Sequence, residues 1–240
     1  MHADDRDGLR VYRFETVPAD RVDALVTTRR DGLDLRSTVR DAHAPRLFAA
    51  YGLPGEAVWC KQVHSDTVVA VDAPQLVEGA DALITDTVGL PLAVIMADCV
   101  PVLVYDPEHH ALGLAHAGWQ GTTARIASAT VRAMSARFGT DPEQLIAAIG
   151  PSIGPDEYEV GEDVIARARG AYGDAPILRP LAGGKALFDL WAANDHDLRS
   201  AGVREIEVTG ISTARHLDEF YSHRVARDAG RFAAVAALRP

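Results

Sequence analysis

The sequence predicts an α+β fold, with helices layered around a mixed β-sheet, and three observations carry that expectation. Long runs of strand-like sequence come first and helices follow, without the regular βαβ alternation of a doubly wound sheet. Several strand candidates, above all LPLAVIMAD at 90–98, are apolar without interruption, as in strands covered on both faces. Helix stops are explicit, with Gly52 and Pro54 closing one helical patch and Gly139 another.

The elements follow in chain order. LRVYRFETV (9–17) and DALVTTR (23–29) read as short strands, and APRLFAAYGL (44–53) as helical. TVVAVD (67–72), DALITD (81–86), LPLAVIMAD (90–98), PVLVYDP (101–107) and ALGLAHAG (111–118) read as strands. Residues 122–138 form a helix in this reading, with Ile126, Val131, Met134 and Phe138 near one face and Thr122 or Thr123 as cap. After AAIGPSIGP come helices at 162–172 and 186–202, a strand at 205–210, and a closing hairpin over 221–238. No repeat, low-complexity tract or long linker interrupts the chain, so residues 1–240 are expected to form one domain.

Composition narrows the function classes. A net charge of -10 argues against nucleic acid or an anionic membrane as partner, although a pocket inside an acidic molecule can still be positive. Only Cys60 and Cys99 are present, so no disulfide framework is expected and a reducing, cytoplasmic location is. The opening MHADDRDGLR is acidic and unlike a secretory signal, and the longest apolar run is broken by Asp98 and Pro101. No G-x-G-x-x-G or Walker pattern follows a strand, which removes support for a nucleotide-binding phosphate loop.

His64, Cys99 and His116 are candidate metal ligands, each at the edge of an apolar segment. Two imidazoles and a thiolate suit a borderline-soft ion, and three protein ligands with an open fourth position describe a catalytic zinc better than a structural one. Their separations rule out a finger or knuckle, so a sheet must bring three strand ends together. Against this stand the ordinary readings, a buried cysteine as a small hydrophobe and a lone histidine as a satisfied or surface residue. Asp98 favours the site, because an acid in a buried run is costly unless paired. Gly118 and Gly121 favour it too, since glycine lets backbone approach a ligand. His109 and His110 read as a solvated turn, and Cys60 as core.

The motifs KQVHSDTV, GADALITD, MADCVPVLVYDP, LGLAHAGWQGT, AAIGPSIGPDEYEVGEDV, FDLWAAN and FYSHR occur in an order that resembles the YfiH-like family, whose members are also called laccase-domain or polyphenol-oxidase-like proteins. The resemblance runs from about residue 57 to the C-terminus. It implies a layered α/β sandwich with mixed β-sheets and a zinc held by His64, Cys99 and His116. The implied chemistry is that of purine nucleosides: phosphate-dependent cleavage of adenosine, inosine, guanosine or methylthioadenosine, and hydrolytic deamination of adenosine. This chain departs from the family pattern at several places. Gln120 stands where HAGWRG has arginine, Asp156 and Glu157 where cysteines are common, Ser212–Thr213 for a common CT, and SHRV at 222–225 for SYRR. The N-terminal loop is compressed to TTRRDGLDLRSTVRDAHAPR.

For deamination, Asp98 is the sequence's candidate proton carrier, with orientation of an imidazole as its alternative role. For phosphorolysis, Arg224 and Arg29 are candidate anion contacts, Gln62 a candidate reader of the purine edge, and Gly118 a close backbone approach to the bound molecule. Three other readings compete. A copper polyphenol oxidase of the multicopper type needs H-x-H pairs, and the chain contains none, although copper could replace zinc at such a site. A metal-free hydrolase would use Cys99 as nucleophile and His116 as base, which leaves His64 without a role. A non-catalytic zinc- or nucleoside-binding protein is the third. The sequence carries no signal for oligomeric state.

Overall fold

Apolar residues along each central strand alternate between two interiors. In the run at 90–98, Leu92, Val94 and Met96 face one core while Ala93 and Ile95 face another. At 100–106, Leu103 and Tyr105 join that first core, whereas Val100, Val102 and Val104 face a third. Strands buried on both faces in this way require layers above and below them.

The computed structural model, which describes residues 1–227 and 230–240, supplies those layers. Its strands are β1 (His2–Arg6), β2 (Leu9–Arg13), β3 (Val22–Thr27), β4 (Val58–Lys61), β5 (Val68–Ala70), β6 (Leu76–Glu78), β7 (Ala82–Thr85), β8 (Leu92–Met96), β9 (Val100–Asp106), β10 (Ala111–Ala117), β11 (Ile146–Ile149), β12 (Glu159–Val160), β13 (Leu178–Pro180), β14 (Ala186–Phe188), β15 (Glu205–Val208) and β16 (Phe232–Leu238). Its helices are α1 (Arg40–Tyr51), α2 (Trp119–Thr123), α3 (Ile126–Phe138), α4 (Glu162–Tyr172) and α5 (Leu190–Ser200).

A seven-stranded sheet runs β1-β2-β3-β16-β8-β4-β6 and a six-stranded sheet β15-β11-β9-β10-β7-β5, with a small third sheet β12-β14-β13. Both large sheets are mixed: β4 is parallel to β6 and β8, and β5 to β7, while β9 is antiparallel to β10. The first core fills the space between the two sheets, α1 covers the outer face of the larger one, and α3, α4 and α5 cover the outer face of the smaller. The result is the layered α/β sandwich that the resemblance implied. Helix α3 packs tightly on β10 because Gly113 has no side chain; a Cβ there would lie 2.8 Å from Thr130 Cγ2 and 2.9 Å from Met134 Sδ. No helix among the described residues is long and apolar enough to cross a membrane.

Several elements differ from the sequence-based expectation. Short strands β1, β4, β6, β11, β12 and β13 were not anticipated, since two to five residues give little periodicity. The helix expected over 122–138 is two helices, because Arg125 adopts a left-handed conformation (φ 66°) between them. Neither threonine caps it. The carboxylate of Asp197, on α5, instead accepts from the Ser128 amide and hydroxyl and from Arg125 Nε, at 2.9, 2.7 and 2.7 Å. The helix expected from 186 begins at Leu190, where Asp189 caps it by accepting from the Ala192 amide; Ala186–Phe188 is strand β14 instead. The expected closing hairpin is a single strand, β16, inserted between β3 and β8, and positions 228 and 229 of that expectation lie outside the described residues.

Candidate functional site

The three expected ligands come from three different segments. His116 is the penultimate residue of β10 and pairs in register with Pro101 of β9, so the residue just before β9, Cys99, lies at the same sheet end. The turn Ala97–Cys99 carries the chain from β8 in one sheet to β9 in the other, and Asp98 takes a left-handed conformation (φ 82°) to make it. His64 follows β4 in a loop where it too is left-handed (φ 62°). The ligand atoms of His64, Cys99 and His116 lie within 4.8 Å of one another, the one group of three or more such side chains among the described residues.

Asp81 organises this group, and the sequence reading passed it over. Its buried Oδ1 accepts from the His64 amide at 3.0 Å and from His116 Nδ1 at 2.9 Å. Its Oδ2 accepts from the amides of Val63 (3.1 Å) and Ser65 (2.7 Å) and from the Ser65 hydroxyl (2.9 Å). Burial alone would raise its pKa, but these donors and the His116 imidazole hold the carboxyl well below the usual range. A carboxylate on Nδ1 fixes a proton there and turns the His116 Nε2 lone pair away from it, the arrangement by which proteins orient metal-binding imidazoles.

Gly118 completes the packing. A Cβ at this position would lie 2.9 Å from Cys99 Sγ and 3.0 Å from His64 Cδ2. A Cβ on Gly121 would lie 3.2 Å from the Ser65 carbonyl oxygen. Both glycines therefore make room for the ligand segments. Burial acts to raise the pKa of Cys99, but the His116 and His64 imidazoles overcome it and pull it down to about 6. Burial acts to lower that of His116, but the neighbouring sulfur and Asp81 push it up to about 9. A thiolate and two imidazole nitrogens converging on one point fit a zinc-type ion by donor chemistry. Cys99, His116 and Asp81 also have the connectivity of a nucleophile, its base and an orienting acid, with His64 as the extra member.

Two cavities meet at this group, sharing His64, Ala97, Cys99 and His223 as a common wall. The first, about 290 Å³, is lined by Asp98, Trp119, Gln120, Ile153, Tyr158, Leu190 and Arg224. The second, about 420 Å³, opens on the β4–β8 side with Ser37, Lys61, Gln62 and Arg231 in its wall. Cys60 lies there too, buried as expected, its thiol pushed up to about 12 by burial.

The other expected site residues fall as follows. Asp98 reaches the first cavity but orients no imidazole; its Oδ1 accepts from the Thr213 hydroxyl at 2.7 Å and its Oδ2 from the Arg224 amide at 2.6 Å. The orienting role belongs to Asp81. Arg224 places its guanidinium 4.8 Å from the centre of the Tyr158 ring and donates from Nη1 to the Glu159 carbonyl at 2.7 Å. Gln62 is committed to main chain, donating to the Ile95 carbonyl at 2.7 Å and accepting from its amide at 2.8 Å, so both ends of its amide are used in extending the β4–β8 pairing. Arg29 lines neither cavity; it stacks on Tyr221 at 4.5 Å and donates to the Leu217 carbonyl at 3.4 Å. His223 lines both cavities. His110 is not simply solvated, since its imidazole contacts the Tyr105 hydroxyl at 3.1 Å and the Arg239 carbonyl at 2.8 Å.

Comparison with known proteins agrees with this architecture. The chain is 44% identical over 188 residues, 78% of its length and 71% of the relative's, to a Deinococcus radiodurans protein named purine nucleoside phosphorylase. It is 35% identical over 191 residues, 73% of its length and 72% of the relative's, to adenosine deaminase RL5 from an unknown prokaryotic organism. Its fold superposes on the crystal structure of YlmD from Geobacillus stearothermophilus with a TM-score of 0.90 and 31% identity, covering 96% of both chains. A family model described as multi-copper polyphenol oxidoreductase laccase matches residues 30–239. With fold, motif order and ligand group in agreement, the chain belongs to this laccase-domain family, the YfiH-like proteins.

Proposed function

We propose that the protein is a zinc-dependent purine nucleoside phosphorylase, cleaving adenosine, inosine, guanosine or methylthioadenosine with phosphate. The observation that carries this reading is the convergence of His64, Cys99 and His116, with His64 and Cys99 in the wall of a cavity that also carries two aromatic rings. The names of the relatives support the same reaction class. His64, Cys99 and His116 would hold the ion, which when bound supplies Lewis acidity to an oxygen or nitrogen of the substrate.

The chain's own groups do the rest. Trp119 and Tyr158 line the cavity with aromatic surface for a purine, the Tyr158 ring being held in place by its stack on Phe188 at 6.2 Å. Arg224 braces the Tyr158 ring from one side. Burial and the nearby Cys99 push the Tyr158 hydroxyl up to about 12, so at neutral pH it remains an O–H donor facing the cavity. Asp98, tied to Thr213 and to the Arg224 backbone, fixes the Cys99 turn against the segment that carries His223 and Arg224. Gln120, at the cavity mouth, presents a neutral amide able to both donate and accept.

Deamination of adenosine is the second reading, favoured by the likeness to RL5 and by the carboxylate of Asp98 on the same cavity. The test is chromatography of adenosine, inosine and guanosine incubated with the zinc-loaded protein and with Cys99→Ala, each with and without phosphate. Free base plus ribose 1-phosphate from the wild type alone, and only with phosphate, supports phosphorolysis. Inosine from adenosine without phosphate moves deamination to the front. Untouched nucleosides in every tube would refute both.

A further inference from the structure

We propose that the 420 Å³ cavity on the β4–β8 side of the His64–Cys99 wall is an anion site and holds the phosphate of the reaction. The inference rests on the phosphorolysis reading above. It assigns a place and a set of residues to the second substrate, for which the sequence offered Arg29 and Arg224.

Those two arginines are occupied elsewhere. Arg29 lies outside both cavities against Tyr221 and the Leu217 carbonyl, and Arg224 lines the aromatic cavity. The second cavity has the opposite character to the aromatic one. Lys61 and Arg231 bring two cations to its wall and Ser37 brings a hydroxyl; no carboxylate is among its described lining residues, and the Cys99 sulfur there belongs to the group that would hold the ion. In a chain with 34 acidic and 24 basic residues, a hollow with two cations and no carboxylate among its described lining residues offers a dianion a favourable local potential. The aromatic cavity, by contrast, carries the Asp98 carboxylate on its wall beside its one cation, Arg224. Lys61 makes one ion pair, at 2.9 Å to Glu78, and Glu78 is not in the lining. An ammonium has three donors, so this pairing leaves capacity for a phosphate oxygen.

The shared wall gives the arrangement its chemical sense. With the purine stacked in the aromatic cavity and phosphate in the cationic one, the ribose C1′ sits between them at His64, Cys99 and His223. An oxygen of hydrogen phosphate forms its bond to C1′ as the bond from C1′ to the purine nitrogen breaks. The electron pair of that bond leaves with the base, and the proton carried by hydrogen phosphate ends on the base. Nucleoside and hydrogen phosphate thus give ribose 1-phosphate and free purine with atoms and charge balanced.

The experiment uses the whole zinc-loaded chain and compares wild type with Lys61→Gln, Lys61→Arg and Lys185→Gln. Lys185 lines neither cavity and reports the effect of losing one positive charge elsewhere. The expected result is a KM for phosphate about tenfold higher in Lys61→Gln, the scale of one hydrogen bond to a charged group. The KM for nucleoside should stay within about twofold, most of the affinity should return in Lys61→Arg, and Lys185→Gln should match wild type. A phosphate KM unmoved in Lys61→Gln, or raised equally in Lys185→Gln, overturns the assignment while leaving the phosphorylase reading intact. Calorimetric titration with inorganic phosphate separates the two further. If the wild type binds phosphate but cleaves no nucleoside, and Lys61→Gln binds it about tenfold more weakly, the anion site stands and the proposed activity falls. If the wild type binds no phosphate, the anion site falls.

Discussion

Replacing Asp81 by asparagine keeps the shape of the side chain and removes the charge that organises the metal group. The carboxylate accepts from five donors, two on Oδ1 and three on Oδ2. An amide has one acceptor oxygen, so its NH2 must replace one of these oxygens. Placed at Oδ1, it meets the His64 amide and His116 Nδ1, and His116 can relieve the clash only by moving its proton to Nε2, which destroys the lone pair needed for a metal. Placed at Oδ2, it meets the Val63 and Ser65 amides, and only the Ser65 hydroxyl can turn to accept. Either way about two hydrogen bonds to a charged acceptor are lost, each worth roughly 1.5–3 kcal/mol, discounted toward the lower end because the 63–65 loop is partly exposed. The expected destabilisation is about 2–4 kcal/mol, a fall in Tm of about 5–15 °C for a chain of this size. Zinc affinity, read by competition with a chromogenic chelator, should fall about 10–100-fold. Asp86→Asn, which removes an exposed carboxylate just beyond β7, is the control. A Tm within about 2 °C of wild type together with unchanged zinc affinity would refute the account of Asp81 as the organiser of His64 and His116.

Other perturbations test neighbouring features. Gly118→Ala forces a methyl to within 2.9 Å of Cys99 Sγ, short of ordinary contact by about 0.6 Å; chelator competition should show zinc affinity reduced about tenfold or more, with thermal stability lowered by about 1–3 kcal/mol. Cys99→Ser and His64→Ala should each lower the zinc content of purified protein below one equivalent per chain, by elemental analysis, while circular dichroism stays that of the wild type. Tyr158→Ala removes one stacking face and should raise the KM for nucleoside about tenfold or more, with little change in that for phosphate. Asp106 supplies a pH test away from the site. Burial raises its pKa, but the Thr140 hydroxyl and the donors of Glu108 and His109 outweigh it and hold the carboxyl below its ordinary value. A group depressed in the folded state stabilises fully above its unfolded pKa and loses that contribution as pH falls through the folded one. The Tm gap between wild type and Asp106→Asn should therefore be full at pH 6 and shrink as the solution is acidified below the ordinary carboxylate range.

The parts of this site that could be read from sequence were those whose chemistry is carried by residue type. A thiol and two imidazoles at the edges of apolar segments announce themselves, and the sheet does bring His64, Cys99 and His116 together. What was not legible depends on partners distant in sequence. Asp81 looks like the first residue of an ordinary strand, and only the fold of 63–65 over it, with His116 beside it, reveals five donors. Gln62 looks like a residue able to read a base, and only the position of β8 shows its amide engaged by Ile95. The same holds for the fold. The apolar strands and the stops at Gly52 and Gly139 were visible, but the break at Arg125 is made by Asp197, on a helix about seventy residues later. The departures at Glu157 and Ser212, separate in the sequence, prove to be neighbours, with the Ser212 hydroxyl donating to Glu157 at 3.0 Å.

The place of β16 has a consequence for how the protein comes into being. This strand is wedged into the middle of the larger sheet, with Ala234 opposite Val26 on one side and Phe232 opposite Met96 on the other. Until it arrives, β3 and β8 have no common partner, and the sheet exists only as two halves. Sequence separations of this length make the ordering step slow, and leave open apolar edges exposed while the ribosome is still at work. His64, Cys99 and His116 emerge more than a hundred residues before the strand that locks Met96, three positions from Cys99, into place. Assembly of the His64–Cys99–His116 group therefore waits on the docking of 232–238, and a nascent chain arrested short of that strand would carry all three residues without the geometry to use them.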